Sequence, residues 1–127
     1  MPKTGLLGLL HRRIVSAGAN SFKGLKDVVL YEEAFRVEVF LSLVLIPTAI
    51  YMAVDYLQLL LLILSLLLVL IVELLNTGIE IVVDRIGPEF HKLSGRAKDI
   101  GSAAVFLSVV TFMLVWGTIL VVNCKLL

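Results

Sequence analysis

Polar side chains recur on one face of a strongly apolar segment in the middle of the sequence. They are Glu73, Asn76, Thr77, Glu80 and Asp84. At about 100° per helical residue, all five lie within one sector of a helix. An ionisable group inside a membrane costs at least about 2.5 kcal/mol on insertion scales, so Glu73 and Glu80 need compensation. Two acids and an amide exceed what helix packing requires, and we expect this face to meet protein or water.

Carboxylates in this arrangement can accept a proton or hold a divalent cation. A carboxylate within hydrogen-bond reach of an alcohol accepts its proton as the alcohol attacks. Glu32, Glu33 and Glu38 lie near the predicted depth of Glu80, and oxygen-only ligands favour Mg²⁺ bound together with nucleotide phosphates. No thiolate zinc site is expected, since Cys124 is the single cysteine. The sequence has no GxxxxGK[ST] loop, so phosphoryl transfer would need another architecture.

The segment after the acidic face, RIGPEFHKLSGRAKDIGSAA, carries basic residues. Its Lys98 can either neutralise Glu80 or hold an anionic phosphate. Gly87 and Pro88 are expected to end the preceding helix, and Ser94 to cap the next one. Small residues then suit close helix contact. These are Ala97, Gly101 and Ala103 or Ala104.

The composition of the chain indicates an integral membrane protein. Of its 127 residues, 60% are hydrophobic and 17% are charged, against about 45 to 50% and roughly 25% in average globular chains. Disorder, a fibrous repeat and a soluble enzyme are therefore all poor fits to this composition. The length predicts one domain over residues 1–127. We expect no nucleic-acid partner.

Three segments are long and apolar enough to cross a membrane: 37–54, 57–83 and 101–122. The first can just cross an apolar layer about 30 Å thick, and Pro47 is expected to kink it. The second is roughly 40 Å long as a helix and must tilt or protrude. Residues 5–30 mix apolar and basic side chains, which favours either an amphipathic helix on the membrane surface or a basic anchor that serves topology only.

The distribution of basic residues predicts the orientation in the membrane. Ten Lys and Arg lie before the first span or between the second and third, against one in the C-terminal tail. Such a bias places the N-terminus and the 84–100 segment in the cytoplasm and the C-terminus outside. The polar face around Glu73 and Glu80 then lies across the cytoplasmic boundary of the membrane, where lipid headgroups meet aqueous solutes. A transporter would centre its acids at the midplane instead.

At these residues the chain resembles a known family. ELLNTGIEIVVDRIG, followed by HKLSGRAKDIGSAAV, is similar to the signature of the small integral-membrane prokaryotic diacylglycerol kinases, and AGANSFKGLK with EEAFRVE resembles their N-terminal helix and first-span entrance. The resemblance implies an all-α homotrimeric helical bundle in the bacterial inner membrane, with three transmembrane helices and an N-terminal amphipathic surface helix per chain. It also implies active sites shared between subunits, and transfer of the γ-phosphoryl of MgATP to the primary hydroxyl of diacylglycerol, giving phosphatidic acid.

The resemblance also implies a role for each site residue. Glu73 would be the general base and Asn76 a positioning amide. Glu32 and Glu80 would bind the metal ion and the nucleotide. Further nucleotide contacts would come from Arg13, Asn20, Lys23, Lys98 and Asp99. The lipid substrate would meet Ser21, Glu73 and Lys98. Asn20 stands where the family often has an aromatic residue, and Gly78 where it often has Ala.

Three other functions fit part of the pattern. An undecaprenol kinase would use the same site on a long polyprenol. A small multidrug transporter would couple export to a membrane glutamate, and it should show four spans and one dominant intramembrane acid. An oligomeric membrane scaffold would carry no chemistry. The three predicted spans and the stripe with two glutamates near one boundary favour a kinase over the last two.

Overall fold

The computed structural model describes residues 5–125 and contains four α-helices. They are α1 Leu6–Tyr31, α2 Glu33–Met52, α3 Tyr56–Ile86 and α4 Lys92–Lys125. No strand occurs within the described range. The last three helices are long and apolar enough to cross a membrane. The prediction of an all-α protein, with one helix ahead of three apolar ones, is therefore confirmed.

All three apolar helices begin before the predicted spans, and α3 and α4 also end beyond them, because hydropathy limits the membrane-crossing part of a helix and not the helix itself. Only α2 stops early, at Met52 and not at residue 54. With 31 residues, α3 is about 46 Å long, well over the thickness of the apolar layer. The longest extension is in α4, which begins at Lys92 and not near Gly101. Ser94 consequently lies inside α4, and the prediction that it caps the helix is wrong. His91 takes that place, since its Nδ1 accepts a hydrogen bond from the Leu93 backbone nitrogen at 3.2 Å.

The chain divides into two compact units, Met1–Glu33 and Ala34–Leu127. The first is essentially α1, which has no buried residue among its 26. Apolar side chains such as Leu10, Ile14 and Leu25 share one face of the helix, and basic side chains such as Arg12 and Lys23 share the opposite one. The predicted amphipathic helix over 5–30 is thus present. It ends where Glu32 takes an extended backbone conformation.

In the second unit, three helices pack through small and polar side chains at regular spacing. Phe35, Ser42 and Ala49 recur every seven residues on the buried face of α2, the repeat of a helical bundle. On α4, Gly101 and Ser108 follow the same interval. Small residues at such positions let helix backbones approach closely. The most extensive helix contact is between α3 and α4, so these two helices hold the polar face in place.

Both ends of α3 are defined by specific backbone and side-chain interactions. At its start, Asp55 accepts a hydrogen bond from the Gln58 backbone nitrogen at 2.8 Å. The Gln58 and Asn123 amides bond each other at 3.1 Å in both directions, which fastens α3 to the end of α4. At the other end, Gly87 has φ 154°, a conformation that favours glycine. The prediction that α3 ends at Gly87 and Pro88 is confirmed.

Candidate active site

The polar face of α3 is turned into the bundle and not outward. Glu73, Asn76 and Thr77 are only 9%, 8% and 4% exposed. Leu75 and Val82, on the other side of the helix, are 64% and 62% exposed. This is the orientation that the helical periodicity predicts, and it removes both the acid and the amide from contact with acyl chains. The polar face then reaches the surface gradually, since Glu80 is half-buried and Asp84 is exposed.

Asn76 and Glu80 form the central contact of this face. The amide Nδ2 of Asn76 donates a hydrogen bond to Glu80 Oε1 at 3.1 Å, one helical turn along α3. The other end of the amide, Asn76 Oδ1, is buried and accepts no hydrogen bond from the residues that the structure describes. It lies against Gly101 of α4. The amide is therefore held between a carboxylate on its own helix and the backbone of the next.

Glu38 is a half-buried acid that the sequence analysis grouped with the others by depth only. It lines an apolar cavity of about 200 Å³ between α2, α3 and α4, together with side chains that include Leu45, Leu66 and Phe112. Its Oε2 is buried without a hydrogen-bond partner among residues 5–125. Its carboxyl group lies near enough to that of Glu73 for the two groups to interact. An acid inside an otherwise apolar span indicates a candidate site residue. This criterion identifies Glu38 from the sequence as well as Glu73.

Lys98 forms an ion pair with Asp84, with 2.6 Å between Nζ and Oδ1. The pair that the sequence analysis considered, Lys98 with Glu80, is not the one formed. Asp84 lies one turn beyond Glu80 on the same face of α3, and it is the carboxylate that the start of α4 reaches. Both side chains remain well exposed, at 42% and 66%. Asp99, the neighbour of Lys98 on α4, is also exposed.

A second cavity, of about 190 Å³, lies where α3 ends and α4 begins. Asp84 and Lys98 line it, and so do Glu89, His91 and Ser94. His91 is exposed, and it contributes to this wall as well as capping α4. Sequence reasoning missed Glu89 and His91 as lining residues because they lie in a connection whose path no periodicity predicts.

The remaining candidate residues lie in the unit formed by α1. Arg13, Asn20 and Lys23 are exposed on its polar face, and Ser21 is exposed on its apolar face. Glu32 is half-buried at the break after α1. In the described part of the chain, no group of three or more His, Cys, Asp or Glu side chains is arranged so that it could hold a metal ion. The proposed metal pair, Glu32 and Glu80, therefore stays a prediction.

The comparisons with known proteins agree with one another. The sequence model for prokaryotic diacylglycerol kinase matches residues 19–120. A diacylglycerol kinase of Haemophilus influenzae is 47% identical over 113 residues, which are 89% of this chain and 94% of that protein. One from Escherichia coli is 47% identical over 108 residues, 85% and 88% of the two chains. One from Pseudomonas aeruginosa is 44% identical over 119 residues, 94% and 95% of the two chains.

Proposed function

The chain belongs to the prokaryotic diacylglycerol kinase family, and we propose that it transfers the γ-phosphoryl group of MgATP to the primary hydroxyl of diacylglycerol. The product is phosphatidic acid. Membership of a kinase family leaves the transporter and scaffold hypotheses without support. The transporter would also have four spans, whereas three helices in residues 5–125 are apolar enough to span a membrane.

One observation carries the proposal. The polar face of α3 begins with a buried carboxylate and continues along the helix to exposed charged side chains. Glu73 is 9% exposed, Asn76 bonds Glu80, and Lys98 pairs with Asp84 further along. A lipid alcohol and a water-soluble triphosphate can react only where the apolar layer of the membrane meets water. The apolar cavity beside Glu38 suits an acyl chain of the alcohol.

Glu73 acts as the general base in this proposal. Its carboxylate accepts the hydroxyl proton as the substrate oxygen forms a bond to the γ-phosphorus. The bond from that phosphorus to the bridging oxygen breaks at the same time, and ADP leaves with the electron pair. Asn76 orients the neighbouring Glu80 through the 3.1 Å hydrogen bond. Phosphoryl transfer requires the hydroxyl oxygen, the phosphorus and the leaving oxygen to be roughly in line. Positioning of the substrates therefore accounts for much of the catalysis.

The carboxylates fit a magnesium ion by their chemistry. Glu80 is half-buried and accepts one amide hydrogen bond, which leaves acceptor capacity on the same group. We propose that Glu80 and Glu32 hold the ion, since Mg²⁺ is usually bound through one or two carboxylates plus substrate phosphates. When bound, the ion neutralises charge that develops on the phosphate oxygens.

Basic and polar side chains would complete the substrate sites. Lys98 and Asp99 contact the nucleotide in this proposal, and the basic face of α1 attracts it to the membrane surface. The residues proposed on α1 are Arg13, Asn20 and Lys23 for the nucleotide and Ser21 for the lipid. Lys98 would also contact the lipid substrate near its hydroxyl group during phosphoryl transfer.

We further propose that the protein is a homotrimer in the bacterial inner membrane. The many exposed apolar side chains of α2, α3 and α4 are suited to lipid tails and to other copies of the chain. The bias of ten basic residues against one supports a cytoplasmic N-terminus and a periplasmic C-terminus. Cross-linking of the purified protein in detergent tests the subunit number, and a dominant dimer would contradict it.

The function is tested with purified protein in mixed micelles and radiolabelled MgATP. Dioleoylglycerol and undecaprenol are offered separately, with Glu73→Gln as the inactive control. We expect label in dioleoylglycerol. Label only in undecaprenol would assign the chain to the polyprenol substrate, and label in neither lipid would overturn the proposed kinase activity.

A further inference from the structure

Gly101 of α4 lies against Asn76 on the polar face of α3. It is buried, and a Cβ built on it would overlap Asn76 Oδ1. Two other glycines of these helices, Gly78 and Gly117, would place a Cβ in open space, with no atom within 4 Å. The absence of a side chain is therefore required at Gly101 and not at the other two.

The overlapped atom belongs to the amide that orients Glu80. Because Asn76 Nδ2 donates to Glu80 Oε1, the carbonyl end of the amide must point the opposite way, toward Gly101. The reverse orientation would set the amide oxygen against a carboxylate, which only accepts hydrogen bonds. With Asn76 only 8% exposed, the side chain can turn away only if neighbouring side chains are displaced. Glu80 on one side and Gly101 on the other hold it in this single orientation.

We propose that Gly101 is a positioning residue for phosphoryl transfer, because its missing side chain lets Asn76 hold its amide against Glu80. A methyl group at this position would force the amide into another rotamer and break the bond to Glu80. The inference rests on the proposed function, in which Glu80 binds the metal ion and the nucleotide. A purely packing role for Gly101 makes a different prediction, since it would lower stability without a selective loss of turnover.

The kinetic test compares Gly101→Ala with two matched glycine substitutions, Gly117→Ala on the same helix and Gly78→Ala on the helix of Asn76. All three replace a helical glycine and gain similar helix propensity. We expect kcat of Gly101→Ala to fall roughly 100-fold, the cost of a small misplacement in an active site. Its KM for dioleoylglycerol should change little, and both control variants should keep the kcat of the wild type.

A spectroscopic test reads the amide itself. The sequence has three asparagines, Asn20, Asn76 and Asn123, so ¹⁵N-asparagine labelling in micelles produces few side-chain NH₂ pairs. The pair that disappears in Asn76→Ala is assigned to Asn76. We expect this pair to shift in Gly101→Ala and to stay in place in Gly117→Ala.

The double variant Gly101→Ala/Asn76→Ala covers the case in which Gly101→Ala does not fold. Removing the overlapped amide should restore a monodisperse helical protein. Failure to recover it would show that the methyl group meets something other than Asn76, which overturns the inference. An unshifted Asn76 resonance would overturn it as well. An active wild type with an equally active Gly101→Ala overturns the positioning role alone, whereas an inactive wild type overturns the proposed function.

Discussion

Lys98 and Asp84 are joined by a 2.6 Å ion pair that connects the start of α4 to the end of α3. Both side chains are well exposed, and ion pairs between exposed side chains contribute little because water and salt screen them. The pair therefore does little for stability. Its consequence is local, because Asp84 competes with any phosphate for the Lys98 ammonium group.

Replacement of Asp84 by Asn should therefore strengthen nucleotide binding. We expect KM for MgATP to fall roughly two- to fivefold, the range that an exposed ion pair allows. The difference should shrink at high salt, which screens exposed charges. The measurement is a set of initial-rate curves against MgATP at low and high ionic strength. A raised KM would mean that Asp84 helps to bind the nucleotide and does not compete with it.

Glu73→Gln should remove most of the kinase activity while the protein still folds. An amide cannot accept the hydroxyl proton, and general-base catalysis contributes about 10²- to 10⁴-fold in rate. The measurements are kcat with dioleoylglycerol and circular dichroism in the same micelles. Glu33→Gln, at an exposed acid, is the matched control and should keep its activity. Substantial turnover by Glu73→Gln would remove Glu73 from the base role.

Gly87→Ala should destabilise the protein, because φ 154° at this position is strained for any residue with a Cβ. A cost of about 1 to 3 kcal/mol is expected for such a conformation. Thermal melting in micelles, followed by circular dichroism, measures it. Gly95→Ala is the comparison, since its Cβ meets no atom within 4 Å. Equal melting temperatures for the two variants would contradict the assignment of strain to Gly87.

Asn123→Ala should weaken the contact between α4 and the start of α3. Asn123 Nδ2 donates to the Met52 carbonyl oxygen at 2.8 Å, and its amide exchanges two further bonds with Gln58. Leaving those partly buried groups without partners costs about 1 to 3 kcal/mol. Thermal melting beside the exposed-site variant Thr118→Ala measures the loss. The site lies at the other end of α3, so kcat of the folded fraction should not change.

Cys124 provides a test of membrane orientation. It is exposed near the end of α4, and it is the single cysteine of the chain. We expect a membrane-impermeant maleimide to label it in cells whose outer membrane has been made permeable. A cysteine placed at Lys3 in a Cys124→Ser background should stay unlabelled until the inner membrane is broken. The opposite pattern would reverse the proposed topology.

Several features of the protein follow from the sequence alone. The Leu-rich runs require helices, because a backbone in lipid must satisfy its own hydrogen bonds. The period of 3.6 residues assigns Glu73, Asn76 and Glu80 to one face, and the cost of a charge in hydrocarbon turns that face inward. Gly87 and Pro88 end α3 for local backbone reasons. These predictions succeed because each depends on residues close together in the chain.

Only the tertiary structure decided which partners those residues meet. The register between α3 and α4 pairs Lys98 with Asp84 and not with Glu80 and sets Gly101 against Asn76. The packing of α2 against these two helices brings Glu38 to a cavity that all three helices form. Helical periodicity fixes the direction of a side chain, but not how far one helix slides along its neighbour. That displacement depends on how small and large side chains fit together across the bundle, which is a property of both helices at once.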